Sequence, residues 1–276
     1  MPFIRNFEDD PLKERVYSLI YGPPKIGKTY AVLDLIKKHG DYVVMLSFDR
    51  GDFAVRQDPE TYKGKMVRAN PATLGEIRDD LKEAGFIVNK LAKKGIPRSS
   101  IWLVMDTMTH AQTILLAEAR KINIKNPHTR DGRTEYVRDA TTQVDYMVNL
   151  GHMNEIADAL ASMKCNVIVI TLEKNEILHG RRDKTSNMIP ALSGQAYTRF
   201  LGDADVILRM VEEKGERYFS LSGQSGSCVG GDRSGKLDIR EPADIKHIQQ
   251  KMLGAKQAKK TEPKAQQNDE ASQVTA

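Results

Sequence analysis

Four continuous apolar runs punctuate the chain, and between them apolar residues recur at every third or fourth position. Val16-Tyr17-Ser18-Leu19-Ile20-Tyr21, Tyr42-Val43-Val44-Met45-Leu46-Ser47-Phe48, Ile101-Trp102-Leu103-Val104-Met105 and Asn166-Val167-Ile168-Val169-Ile170-Thr171 have strand length. Their lack of alternation predicts strands covered on both faces. After the first run, Ala31, Val32, Leu35 and Ile36 fall on one helical face from residue 28 to about 38, and Gly40 supplies the stop. Asn70 and Pro71 read as the cap and first turn of a second helix, on which Leu74, Ile77, Leu81, Ala84, Val88 and Leu91 share a face before Gly95 and Pro97 end it. A third helical piece is expected over residues 108–121. A long fourth over 143–164 should turn Val144, Met147, Val148, Ile156 and Leu160 toward the sheet.

Polar segments separate the later elements. Residues 122–138, with Lys125, His128, Arg130, Arg133 and Arg138, and residues 173–190, with Lys174, His179, Arg181, Arg182 and Lys184, both read as exposed, mobile loops. Ser193-Gly194-Gln195 opens a short helix to about 201. Strands follow over 205–211 and 217–221, joined by a turn at Lys214-Gly215. Residues 226–236 are rich in Gly and Ser, and a last helix is expected over 242–252. Alternating strands and helices of this kind make an α/β fold with a mainly parallel sheet. The remainder, dominated by Lys, Gln, Ala, Glu and Asp, lacks the apolar content to fold and is expected to be disordered.

The chemistry begins where the first run ends. Gly22-Pro23-Pro24-Lys25-Ile26-Gly27-Lys28-Thr29 satisfies G-x-x-x-x-G-K-[ST] between a strand and a helix, with Tyr30 continuing into that helix. Such a loop wraps phosphates with backbone N–H groups, and the helix N-terminus adds partial positive charge. Lys28 would reach the β- and γ-phosphates, and the Thr29 hydroxyl would join the coordination of a Mg²⁺ bridging the same oxygens. Asp106 follows the third apolar run directly, where a phosphate-loop nucleotidase carries its Mg²⁺-holding acid. Asp49 and Asp52 sit just past the second, on the edge where open α/β sheets bind ligands.

Composition narrows the setting. The 276 residues, 40% hydrophobic, suit one main α/β domain with appendages. No stretch approaches a membrane span and the start lacks a signal peptide's apolar core, so a cytoplasmic protein without membrane contact is expected. The two cysteines, Cys165 and Cys228, lie far apart and imply neither disulfides nor zinc. A net charge of +5 permits a polyanionic partner without requiring one.

Taken with Ser193-Gly194-Gln195-Ala196-Tyr197-Thr198-Arg199-Phe200 before a β-rich end, this order of motifs resembles the RecA superfamily, over roughly residues 16–237. More narrowly it is similar to the phage-encoded RecA-like ATPases of single-strand annealing and recombination, the phage nucleotide-binding protein family. The resemblance implies residues 1–15 as an N-terminal extension, 16–252 as a RecA-like ATPase domain and 253–276 as a tail. It also implies ATP hydrolysis with Mg²⁺, assembly into a homo-oligomeric ring or filament, and cooperation with a single-strand-binding protein. Single-stranded DNA would lie on the loops after the third and fourth strands, which here carry Arg130, Arg133, Arg181, Arg182 and Lys184. By the same resemblance Lys28 and Thr29 are the phosphate-loop pair, Asp106 the Mg²⁺ acid, and Asp49 the water-activating acid where the superfamily usually has Glu. Asp52 competes for that role. Thr171 stands where a γ-phosphate sensor is common. Gly231-Asp232-Arg233-Ser234-Gly235-Lys236-Leu237 resembles the late basic motif from which a neighbouring subunit reaches the phosphates, making Arg233 and Lys236 trans-acting candidates. In a host cell a phage protein of this kind would work in the cytoplasm. A helicase, helicase loader or packaging ATPase shares the same chemistry. A small-molecule kinase and a nucleotide-gated scaffold are further alternatives, the first leaving the β-rich end without a role.

Overall fold

The computed structural model describes residues 14–49, 53–125, 129–130, 133–134, 141–177, 186–221 and 228–254. The chain runs through β1 (Tyr17–Gly22), α1 (Lys28–Lys37), β2 (Tyr42–Ser47), α2 (Phe53–Gln57), α3 (Pro59–Tyr62), β3 (Met66–Ala69) and α4 (Leu74–Lys93). After a 3₁₀ turn at Arg98–Ser100 come β4 (Ile101–Asp106), α5 (Met108–Lys125), the two-residue strands β5 (Thr129–Arg130) and β6 (Arg133–Thr134), and α6 (Gln143–Ser162). β7 (Asn166–Ile177), β8 (Ser186–Pro190), α7 (Gly194–Asp203), β9 (Val206–Glu213), β10 (Glu216–Ser220), β11 (Gly231–Asp232), β12 (Arg240–Pro242) and α8 (Ile245–Leu253) complete it.

The main sheet has the order β12-β10-β9-β1-β7-β4-β2-β3. Pairing is parallel from β9 across to β3, and antiparallel where β10, β12 and β11 extend the other side. The architecture is therefore the expected α/β one, with a mainly parallel sheet between helices and a β-rich end. Continuous apolar strands arise because each face has its own helical cover. Tyr17, Leu19, Tyr21, Val44, Leu46, Ile101, Leu103, Met105, Val167 and Val169 pack against α4, α5, α6 and α7. The alternate residues Ile20, Val43, Met45, Trp102, Val104, Ile168 and Ile170 pack against α1 and α8. A period of two thus sorts one run into two cores.

Buried polar groups fasten α8 beneath the sheet. Trp102 Nε1 and Lys246 Nζ both donate to Asp41 Oδ2, each at 2.8 Å, with the Asp41 and Lys246 side chains only 4% and 13% exposed. Gln249 Nε2 donates to Asn166 Oδ1 at 2.8 Å, and the same oxygen accepts the Val16 N–H at 3.0 Å. Among the described residues no helix is long and apolar enough to cross a membrane.

Several expected boundaries move. α4 begins at Leu74 rather than Asn70-Pro71, because Thr73 caps it by accepting the Glu76 N–H while Glu76 Oε2 accepts the Ala72 N–H. In α6 the inward stripe is Asp145, Asn149, Met153, Ile156, Ala157 and Leu160, whereas Met147 is 66% exposed and Val144 and Val148 are only half-buried. A Thr142–Asp145 capping box starts the helix. Residues 173–190 are not simply a loop: β7 continues to Ile177 and pairs antiparallel with β8, so Thr171 ends the buried part of the strand and not the strand itself. Likewise α5 carries on to Lys125, past the expected end at 121. The tail beyond Gly254 and the first thirteen residues lie outside the described residues.

Candidate functional site

The parallel strands bring their carboxyl ends to one edge. Gly22 of β1 sits opposite Leu172 of β7, and Ser47 of β2 opposite Asp106 of β4. β1 lies between β7, reached through β4 and β2, and β9 on the other side, so the edge at Gly22 is where the sheet order reverses.

Two glycines shape the loop at that edge. At Gly22, φ is 154°, and a Cβ would lie 2.7 Å from the Met210 carbonyl oxygen of β9. Gly27 caps α1 in the left-handed region, φ 106°, where a side chain is disfavoured. Lys28 is folded back over the loop, its Nζ donating to the carbonyls of Gly22 at 2.8 Å and Pro23 at 2.7 Å. Burial lowers the Lys28 ammonium from its usual range to about 8, although Asp106, Glu173 and Asp49 pull it upward. Pro24, Lys25 and Ile26 form the crest, with Lys25 at φ 63°. Tyr30, in the first turn of α1, is exposed.

Thr29 Oγ1 donates to Asp106 Oδ2 at 2.8 Å. Asp106 is 1% exposed, and its Oδ1 has no hydrogen-bond partner among the described residues. Burial raises its pKa to about 6, opposed by the Thr29 hydrogen bond. A buried carboxylate oxygen without a donor, beside a threonine hydroxyl, fits a hard cation better than it fits an unliganded core. Among the described residues no group of three or more His, Cys, Asp or Glu is placed to hold a metal ion. Asp49 faces the same space: its carboxylate lies 3.9 Å from His110 Nδ1, which is 2.7 Å from Thr107 Oγ1. The mutual electrostatic influence of Asp49, Asp106 and Lys28 places all three in one site.

A family model described as an AAA domain (AAA_24) matches residues 14–234. The chain belongs to this AAA domain family. No curated protein matches it. Solved structures similar to it include an ATP synthase subunit, NeqB, from Nanoarcheaum equitans, at 13% identity and TM-score 0.41 over 71% of this chain and 47% of that one. The RadB recombinase aligns at 18% identity and TM-score 0.35 over 74% and 79%. An ATPase of a bacterial type III secretion system aligns at 13% and 0.40 over 73% and 54%. The chain spans about half the length of the first and third. These are distant likenesses, and none bears on the chemistry of this chain.

Within this AAA domain the other sequence candidates fall elsewhere. Arg233 pairs with Asp205 at 3.5 Å and with the Gly202 carbonyl, and Asp205 in turn accepts the Tyr17 N–H. It therefore lies at the opposite end of β1 from Gly22, about 17 Å away for six extended residues. Lys236 Nζ donates to the Met252 carbonyl at the end of α8. In one chain neither reaches the phosphate loop. Thr171 is fully buried beside Tyr21, its hydroxyl without a partner among the described residues. Arg130 and Arg133 pair in backbone between β5 and β6. Asp52, Arg181, Arg182 and Lys184 lie outside the described residues.

Three groups were not foreseen. His110 joins Asp49 from the first turn of α5. Glu173, at the base of the β7–β8 hairpin, pairs with Arg209 of β9 at 3.0 Å, 13% and 22% exposed, and is close enough to Lys28 to affect its protonation. Arg217 of β10 reaches Gly27. A signal for the second existed: an acid just past the apolar run 167–170, and an arginine inside an otherwise apolar strand.

Proposed function

We propose that this AAA domain is a Mg²⁺-dependent ATPase stimulated by single-stranded DNA, acting as a homo-oligomer in phage DNA recombination or single-strand annealing. The observation that carries the nucleotide part is the juxtaposition of Lys28, Thr29 and Asp106 at the reversal point of the sheet. Lys28 would leave the Gly22 and Pro23 carbonyls for the β- and γ-phosphates, which satisfy its charge better than neutral acceptors do. Thr29 and Asp106 would hold Mg²⁺, which when bound neutralises charge on those phosphates. Asp49, steered by His110, would accept the proton of the attacking water; Asp52 is the competing acid.

Support for the DNA part is the β7–β8 hairpin. It rises from the strand end that carries Glu173, so the segment with Arg181, Arg182 and Lys184 is joined covalently to the nucleotide edge. Arg130 and Arg133 come from the turn after α5. These cations would track a backbone, and a single-strand-binding protein would be the natural co-partner on the same strand. Arg233 and Lys236, remote from their own loop, would serve the site of a neighbouring subunit. Binding to single-stranded DNA should fall steeply with salt, since each neutralised phosphate releases counterion. The test is hydrolysis itself. Wild type should release phosphate from ATP only with Mg²⁺ present, and Lys28→Ala should not; turnover that persists in Lys28→Ala would remove the site from the chemistry.

A further inference from the structure

The positive end of α1 has a cation packed against it. A Cβ built on Gly27 would lie 2.6 Å from Arg217 Nη1 and 3.1 Å from its Cζ, so the guanidinium rests on the loop residue that caps the helix. β10 delivers it there by register. Phe219 of β10 and Met210 of β9 belong to the core layer beneath α1, and Arg217, two residues before Phe219, faces the same side. Glu212, directly opposite in the hairpin, accepts Arg217 Nε at 3.1 Å and turns the terminal nitrogens toward the loop.

This placement is electrostatically unfavourable in the bare protein. Helix N-termini repel cations, and Lys25 and Lys28 add two more positive charges to the same loop. Asp106, Glu173 and Asp49 act on Lys28, while Glu212 is the carboxylate that pairs with Arg217 itself. An anion seated on the loop beside the guanidinium would reverse the sign of the interaction, and a planar guanidinium suits a phosphate. Position decides which phosphate. Asp106 and Thr29 mark the β7–β4 side of β1 as the end for the terminal phosphates, whereas β9 and β10 lie on the other side. A phosphate chain whose terminal end lies beside Asp106 and whose nucleoside end lies on that second side would bring its α-phosphate to Arg217.

We infer that Arg217 is a nucleotide contact supplied in cis, binding the α-phosphate of a nucleoside di- or triphosphate held by the loop; this rests on the nucleotide-binding reading above. Because the α-phosphate is common to ATP and ADP, the contact holds both equally. The experiment is calorimetric titration of the full chain with ADP and with a non-hydrolysable ATP analogue, in wild type, Arg217→Ala, Arg217→Gln and Lys28→Ala. Arg217→Ala and Arg217→Gln should weaken both ligands by the same factor, about tenfold for one charge-assisted contact. The melting temperature of the ligand-free protein should not fall. An ADP affinity within twofold of wild type in either folded variant, or a loss confined to the triphosphate analogue, would overturn the assignment. If Lys28→Ala abolishes binding while the Arg217 variants do not weaken it, only this inference fails; a wild type that binds neither ligand overturns both.

Discussion

Thr29 Oγ1 and Asp106 Oδ2 are joined across 2.8 Å, while the other oxygen of the same carboxylate is buried without a donor among the described residues. One hydrogen bond therefore ties the phosphate loop to the end of β4, and the group it leaves exposed to the site is a carboxylate that burial disfavours in its charged form. Asp106 is raised from 3.8 to about 6, so the folded state holds its proton more tightly than the unfolded chain does. The stability this contributes is present below pH 3.8 and is lost as pH rises through 6. Above that pH the ionised group is a liability to the fold of a few kcal/mol at most, on the order of 3. Asp106→Asn should accordingly raise the melting temperature of the nucleotide-free protein at pH 8, the difference narrowing toward pH 4, while ATP hydrolysis disappears. Thermal melts across pH, paired with a phosphate-release assay, check both halves.

Lys28 has the opposite sign. Burial holds its pKa at about 8, below the 10.5 of an unperturbed lysine, so the neutral amine favours the fold. That contribution is present above pH 10.5 and is lost as pH falls through 8. Phosphates require the charged form. Nucleotide binding near pH 8.5 should take up a proton, seen as a dependence of the calorimetric enthalpy on buffer ionisation enthalpy, and at pH 6 the uptake should vanish.

Glu173 sets a negative charge beside the place where phosphates would lie, neutralised in part by Arg209. Glu173→Gln should bind ATP several-fold more tightly, because a repulsive charge is removed while the side chain's shape is kept. Loss of its partner leaves Arg209 half-buried, so a stability cost of about 1–3 kcal/mol should accompany the gain. A titration and a urea melt on one variant measure the two effects separately.

Far from the site, Asp41 receives both Trp102 Nε1 and Lys246 Nζ in a nearly dry setting. Asp41→Ala would leave an indole N–H unpaired and a nearly buried ammonium with only the neutral Ser99 carbonyl, a loss of about 3–5 kcal/mol in unfolding free energy by denaturant titration. Nucleotide affinity should survive in whatever fraction remains folded.

The loop from Gly22 to Thr29 and its approach to Asp106 were legible in sequence because each position answers a fixed demand. Gly22 and Gly27 meet backbone constraints, Lys28 and Thr29 bring specific donors, and Asp106 ends an apolar run. The core strands were legible for a related reason, since helices on both faces leave few polar positions in them. β3 was missed: Met66–Ala69 is short and only partly buried at the sheet edge, so its pattern carries little signal. The β7–β8 hairpin carries a loop-like pattern because residues 172–176 of β7 are half-buried or exposed. Inward Asp145 and Asn149 misled the reading of α6, where periodicity weighted Met147 instead. His110 and Arg217 owe their place to helix packing and cross-strand register, which no local pattern encodes.

The most direct measurement is steady-state ATP hydrolysis by the full chain in Mg²⁺, with and without single-stranded DNA, for wild type and Lys28→Ala. Wild type should hydrolyse ATP faster when the DNA is added, the increase fading as salt is raised, and Lys28→Ala should be inactive in both conditions. A wild-type rate that ignores single-stranded DNA at low salt, or that requires a small phosphate acceptor instead, would contradict the proposed function.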